Sequence, residues 1–189
     1  MSRKFDEGRL RFEFGRIWDV EKYDEHRDYR EKICKLEGTR AVDFVTLLAE
    51  ELFLIEVKDL RGFRIESKER LVQGSLALEL ALKVRDTVSG LVAAFRRSSE
   101  SDIWEAYVRA LAHLEKRLFV VLWLEEDRPT GKALAQRQLV TRGILTQEVK
   151  KRLRWLTTKV VIVDRIRSRL PDLEVSYLGP VDSEAKRSP

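Results

Sequence analysis

The sequence predicts an α/β fold, a mixed central β-sheet flanked by helices, and three observations point to it. Apolar runs of strand length recur at 41–45, 52–58, 118–124 and 160–163. Longer segments between them repeat apolar residues every three or four positions, the helical period. The two patterns interleave along the chain, as expected for a sheet covered by helices.

The elements follow in order. Leu10, Phe12 and Phe14 alternate with charged residues, so 9–14 reads as a short strand. From 19 to about 36 the chain is polar with a stripe of Val20, Tyr23, Arg27, Arg30 and Cys34; this reads as a helix with Asp19 as N-cap and Gly38 just beyond its end. Two strands follow at 41–45 and 52–58, joined by a tight hairpin through Ala49, Glu50 and Glu51. Residues 59–65 are a basic loop with room for a short strand. A long apolar helix from about 67 to 95 is expected to be central, with Gly74 and Gly90 arguing against continuity. Ser99 or Ser101 can cap the next helix, which carries Ile103, Ala106, Tyr107, Ala110, Leu111 and Leu114 on one side. Residues 118–124 read as a strand buried on both faces. A basic helical region follows, broken near Gly143 with Thr146 as a new N-cap. Strands at 160–163 and 173–177, the latter at an edge, complete the layout.

Length suits a single domain, 1–181, with a motif core at about 19–124, a basic helical and strand part at 128–178 and a polar tail at 182–189. One cysteine excludes an intramolecular disulfide, and one cysteine with two scattered histidines excludes a structural zinc site. No secretory signal and no membrane-length apolar stretch is present, so the expected address is the cytoplasm. Charge is unevenly placed. Residues 128–169 carry 12 basic and 2 acidic side chains, whereas residues 1–127 are net acidic; the basic block points to a polyanion such as nucleic acid, with a solvated helix face as the plainer alternative. Its members Arg137, Arg142, Lys150, Lys151, Arg152 and Arg154, together with Arg61, Arg64 and Lys68 after the second strand, are the candidate phosphate contacts. Trp104, Trp123 and Trp155 are read as core or interface residues. Glu125, Glu126 and Asp127 read as an acidic loop, and His113 as a packed or surface histidine.

The chemistry centres on Asp43, Glu56 and Lys58. Residues two apart on a strand share a face, so Glu56 and Lys58 stand side by side at the end of an apolar strand. Asp43 lies in the neighbouring apolar run, where an unpaired carboxylate is costly. Two acids and the Val57 carbonyl suit a hard ion such as Mg2+, which prefers oxygen ligands and one or two carboxylates. Lys58 can hold or deprotonate an attacking water, or steady charge on phosphate; burial lowers its pKa and the acids raise it.

Asp43 followed by Glu56-Val57-Lys58 resembles the core of the PD-(D/E)XK nuclease superfamily, which includes restriction endonucleases and Holliday-junction resolvases. Val42 stands where the signature proline precedes the acid. The resemblance implies a restriction-endonuclease-like core of a helix, a three-stranded meander, a helix and a further strand. It implies metal-dependent phosphodiester hydrolysis, with Asp43, Glu56 and Lys58 catalytic, Asp43, Glu56 and Val57 holding Mg2+ (Mn2+ as substitute), and an acid on the first helix: Glu21, Glu25 or Glu31, with Glu25 favoured. Gln73, early on the long helix, could lie near the metal water. The expected function is a DNA endonuclease in repair or defence, DNA being favoured over RNA as partner. The alternative is a non-catalytic nucleic-acid-binding or assembly subunit on a degenerate nuclease fold. A homodimer, or a place in a larger complex, is the expected assembly.

Overall fold

The computed structural model of the chain describes residues 2–62 and 74–179. The strands are β1 (Arg3–Glu7), β2 (Leu10–Phe14), β3 (Trp18–Lys22), β4 (Phe44–Leu48), β5 (Glu51–Asp59), β6 (Leu118–Glu125), β7 (Val160–Val163) and β8 (Leu173–Tyr177). The α-helices are α1 (Arg27–Glu31), α2 (Ser75–Arg97), α3 (Ser101–Ala112) and α4 (Lys132–Leu153). Five strands form a mixed sheet in the order β3-β4-β5-β6-β7. Within it β3, β4 and β5 form an antiparallel meander, while β6 and β7 run parallel to β5. A small antiparallel sheet, β1-β2-β8, lies against one face. The fold is thus α/β, with helices on the other face of the larger sheet.

Strand alternation decides which side chain meets which layer. In β5, Leu52 and Leu54 pack with Leu80, Val84 and Leu91 of α2, whereas Phe53, Ile55 and Val57 pack with Phe12 and Phe14 of β2. In β6, Val120, Leu122 and Leu124 face the helices, while Val121 and Trp123 face the small sheet. Both strands are apolar on both faces because both faces are covered. Glu56 and Lys58 continue the Leu52–Leu54 series, so they project among the helices. The Phe12 and Trp123 rings meet edge-on, with centroids 5.2 Å apart, which joins the two sheets.

The hairpin between β4 and β5 has two turn residues. Leu48 pairs with Glu51, and Ala49 (φ 47°) and Glu50 (φ 70°) occupy the left-handed region between them. This is the backbone that a two-residue primed turn demands, formed here without glycine.

Several expectations are corrected. Residues 18–22 form β3, not the start of a helix: Trp18, Val20 and Lys22 are buried while Asp19 and Glu21 point outward. Asp19 pairs with Leu47 in the sheet and caps nothing. The expected helix over 19–36 reduces to α1 between two single turns: Trp18, Val20 and Lys22 follow period two, and the three-residue step from Val20 to Tyr23 only mimics a helical stripe. A charged edge strand, β1, was not expected. Its Phe5 alone packs on the core, so its alternation is faint. The α2 helix runs unbroken through Gly90, where a Cβ would lie 2.2 Å from the Tyr23 hydroxyl. Glycine there permits close approach of α2 to Tyr23. Leu78, Val92 and Phe95 lie on its exposed side, so the helix covers the sheet without being enclosed. α4 is continuous through Gly143, and the Thr146 hydroxyl donates to the Arg142 carbonyl inside it. Trp104 and Trp123 are core residues, whereas Trp155 is 56 % exposed. Among the described residues, no helix is long and apolar enough to cross a membrane.

Candidate functional site

Asp43 is the residue before β4, and its position follows from where the β4–β5 ladder stops. The last paired residues are Phe44 and Ile55. Beyond them the Val57 N–H has no β4 backbone opposite, and it donates to Asp43 Oδ2 at 2.6 Å. N–H and C=O of one strand residue point to the same edge, so the Val57 carbonyl faces the same gap. The Asp43 carbonyl accepts from the Tyr23 N–H at 2.9 Å, which anchors the loop from the other side.

Glu56 is 1 % exposed, and its charge is met by two ammonium groups. Glu56 Oε1 is 2.8 Å from Lys58 Nζ and 2.7 Å from Lys83 Nζ. These are ion-pair contacts whose angles fall outside hydrogen-bond geometry at that oxygen. Lys83 does donate to Glu56 Oε2 at 2.8 Å, and its Nζ lies 3.9 Å from Asp43 Oδ1. Lys58 also pairs with Glu79 of α2 at 3.0 Å. Asp43, Glu56, Lys58, Glu79 and Lys83 thus form one charged cluster between the end of β5 and α2. Burial and the charge of Glu56 push the Asp43 carboxyl up to about 8, against the pull of Lys83 and the Val57 N–H. Burial alone would lower the Lys58 pKa, but Glu56 and Glu79 outweigh it and raise it above the usual lysine value. Lys58 is therefore held as a cation by its two carboxylate partners.

Glu79 and Lys83 were not foreseen. Their signal is present: they stand one helical turn apart, in a stretch otherwise dominated by apolar residues. Of the first-helix acids, none joins Asp43. Glu25 pairs with Lys22 at 3.2 Å and its side chain is 58 % exposed, Glu21 pairs with Arg3, and Glu31 is exposed. Asp24 and Glu7 come near instead, with oxygens of Glu7, Asp24 and Asp43 within 4.8 Å of one another. Lys22 contacts Glu7 directly and lies 3.6 Å from Asp24.

The basic candidates divide. Arg142 is buried and fully engaged: it donates to Glu126 and Asp164 at 2.7 Å each and to the Leu124 carbonyl at 2.8 Å. The reading of Arg142 as a phosphate contact is corrected, because a guanidinium held by three internal acceptors is not presented to a ligand. Arg61 pairs with Asp59 at 2.7 Å and stacks over the Tyr177 ring at 3.7 Å. Arg137, Lys151 and Arg154 are exposed, and Lys150 is half-buried. Arg152 pairs with Glu148, and its guanidinium reaches within 3.7 Å of where a Gly74 Cβ would be, at the start of the helix bearing Glu79 and Lys83. Arg64, Lys68 and Gln73 lie outside the described residues. Glu125 is structural: it accepts from the Trp123 indole at 3.0 Å, the Arg165 N–H at 2.8 Å and the Tyr177 hydroxyl at 2.9 Å. His113 is exposed and accepts from the Glu115 N–H at 3.3 Å.

Comparison with family models, with curated proteins and with solved structures found no match to this chain.

Proposed function

We propose that the chain is a metal-dependent phosphodiesterase acting on nucleic acid, an endonuclease on DNA, built on a restriction-endonuclease-like core. The observation that carries the reading is the convergence of Asp43 and Glu56 on a single cation position, with the Lys58 ammonium 2.8 Å from Glu56. The meander β3-β4-β5, then the helices α2 and α3, then β6 parallel to β5 supports it, with α3 as an addition to the expected order. The departure is at the start, where the β1–β2 hairpin precedes the meander and α1 falls between β3 and β4.

The donor set fits a hard divalent ion. Burial and the Glu56 charge disfavour the Asp43 carboxylate, and a divalent ion between the two acids would favour it. Asp43, Glu56 and the Val57 carbonyl would hold Mg2+ or Mn2+. Such an ion acidifies a bound water and screens charge on the phosphate. The Val57 N–H fixes the orientation of Asp43, and Glu79 fixes Lys58. Lys58, held by Glu56 and Glu79, would orient the attacking water and offset developing negative charge. Arg137, Lys151 and Arg154 would meet the phosphate backbone.

The test is cutting of supercoiled plasmid with Mg2+ or Mn2+. Glu56→Gln and Asp43→Asn are expected to lose about a hundredfold or more of the rate while keeping a cooperative unfolding transition. Salt-sensitive binding of plasmid, with no cutting under either metal, would favour the second reading, a non-catalytic nucleic-acid-binding subunit. One observation supports that alternative: Lys58 and Lys83 already meet the buried Glu56 carboxylate.

A further inference from the structure

The cluster contains one more cation than the nuclease reading employs. Lys58 pairs with Glu56 at 2.8 Å but has a second partner outside the proposed ligands, Glu79 at 3.0 Å. Lys83 differs. Its ion pairs are with Asp43 and Glu56, the two acids that a divalent ion would need. Its side chain is 18 % exposed, and it stands on a helix, at the end of a flexible four-carbon stem. Glu56, at 1 % exposed, cannot lose its counter-charge to water without a large desolvation penalty.

We propose that Lys83 is a tethered counter-ion that fills the cation position between Asp43 and Glu56, so that a divalent ion binds by displacing its ammonium into solvent. The inference rests on the nuclease reading of the site and adds a control on metal loading. The exchange balances: the incoming ion takes the Asp43 and Glu56 oxygens, any proton on Asp43 passes to solvent, and the Lys83 ammonium leaves with its own proton and gains water. Lys58 stays, because Glu79 retains it. The two lysines therefore have separate duties, Lys83 as the displaceable cation and Lys58 as the permanent one. Lys83 acts here as a positioning and gating residue, and contacts no reacting atom.

Two measurements on the full chain test it. The first is calorimetric titration with Mn2+ of wild type, Lys83→Met and Lys83→Gln, with thermal unfolding in parallel. Both variants are expected to bind Mn2+ about tenfold or more tightly than wild type, since the competing charge is gone. Both are expected to melt lower than wild type without metal and to gain more from Mn2+. The second is lysine acetylation read by mass spectrometry with and without Mg2+. Lys83 is expected to become more reactive when Mg2+ is present, while Lys58 does not. Wild type that binds Mn2+ no more weakly than the Lys83 variants, with Lys83 reactivity unchanged by Mg2+, overturns the exchange and leaves the nuclease reading standing. Absence of Mn2+ binding in wild type and in folded variants alike overturns both.

Discussion

At the scale of single residues, two buried aspartates respond to pH in opposite senses. Burial and Glu56 raise the Asp43 carboxyl to about 8. Its unfolded value is near ~4, so the folded state holds the extra proton across that window. Its contribution is complete below pH ~4 and is lost as pH rises through about 8. The urea midpoint of wild type is therefore expected to fall between pH 5 and 8, and that of Asp43→Asn to stay flatter over the same range. On the metal-dependent reading proposed above, Mn2+ affinity is expected to rise over this window, because an ion held at Asp43 would displace its proton. Asp28 behaves the other way. Burial would raise it, but hydrogen bonds from Lys32 at 2.6 Å, Ser98 at 2.7 Å and the Trp104 indole at 2.8 Å lower it to about 2. Its stabilisation is present above pH ~4 and fades as pH falls towards 2. Asp28→Ala leaves Trp104 and Ser98 without their acceptor and unties α1 from α3. A loss of about 2–4 kcal/mol is expected from denaturant unfolding at pH 7; a loss under ~0.5 kcal/mol would show that Asp28 does not hold these elements together.

At the scale of elements, the β4–β5 hairpin places the site and carries local strain. Ala49 and Glu50 both sit at positive φ, which costs about 1–2 kcal/mol for a residue with a Cβ. Glu50 offsets part of this through an ion pair with Lys116, but its side chain is 73 % exposed, so that pair contributes little. Replacing Ala49-Glu50 by Asn-Gly is expected to raise stability by roughly 1 kcal/mol without altering the register. The check is denaturant unfolding of the variant, and a decrease would mean that the turn is held by more than its backbone geometry. The strand signals of β5 and β6 were plain because both strands are apolar on both faces, and the tight hairpin followed from the spacing; β4 spans Phe44–Leu48, three residues beyond the start of the apolar run at 41–45, which leaves Asp43 just outside the strand. β3 was missed because five residues give only two or three alternations, which a helical stripe also fits. α4 was read as broken because Gly143 is a poor helix former, yet the packed stripe of Arg142, Leu145, Val149 and Leu153 holds the helix through it.

At the scale of the whole molecule, the basic block has two fates. Arg142 is an internal brace between α4, the end of β6 and the loop after β7. Arg142→Met is expected to lose about 3–5 kcal/mol of stability, because buried Asp164 and the Leu124 carbonyl lose a partner. Denaturant unfolding checks this; unchanged stability with weakened plasmid binding would return Arg142 to the list of phosphate contacts. Arg137, Lys151 and Arg154 are solvent-facing, and each alanine substitution is expected to reduce the salt slope of nucleic-acid binding by about 1. Filter binding across a salt series reads this directly, and an unchanged slope in all three variants would place the interface elsewhere.

The sequence by itself determined the α/β class, the central strands and the shared face of Glu56 and Lys58, because strand periodicity and burial are local properties. Asp43 was legible for the same reason: a carboxylate in an apolar run needs a partner. Only the tertiary structure decided which partners came. Lys83 and Glu79 reach the site across the packing of α2 on the sheet, and Asp24 displaces the favoured Glu25 through the path of the chain after β3. Arg142 was turned from a surface charge into a buried one by the docking of α4. Each of these contacts joins residues far apart in sequence, and no local pattern records which faces will meet.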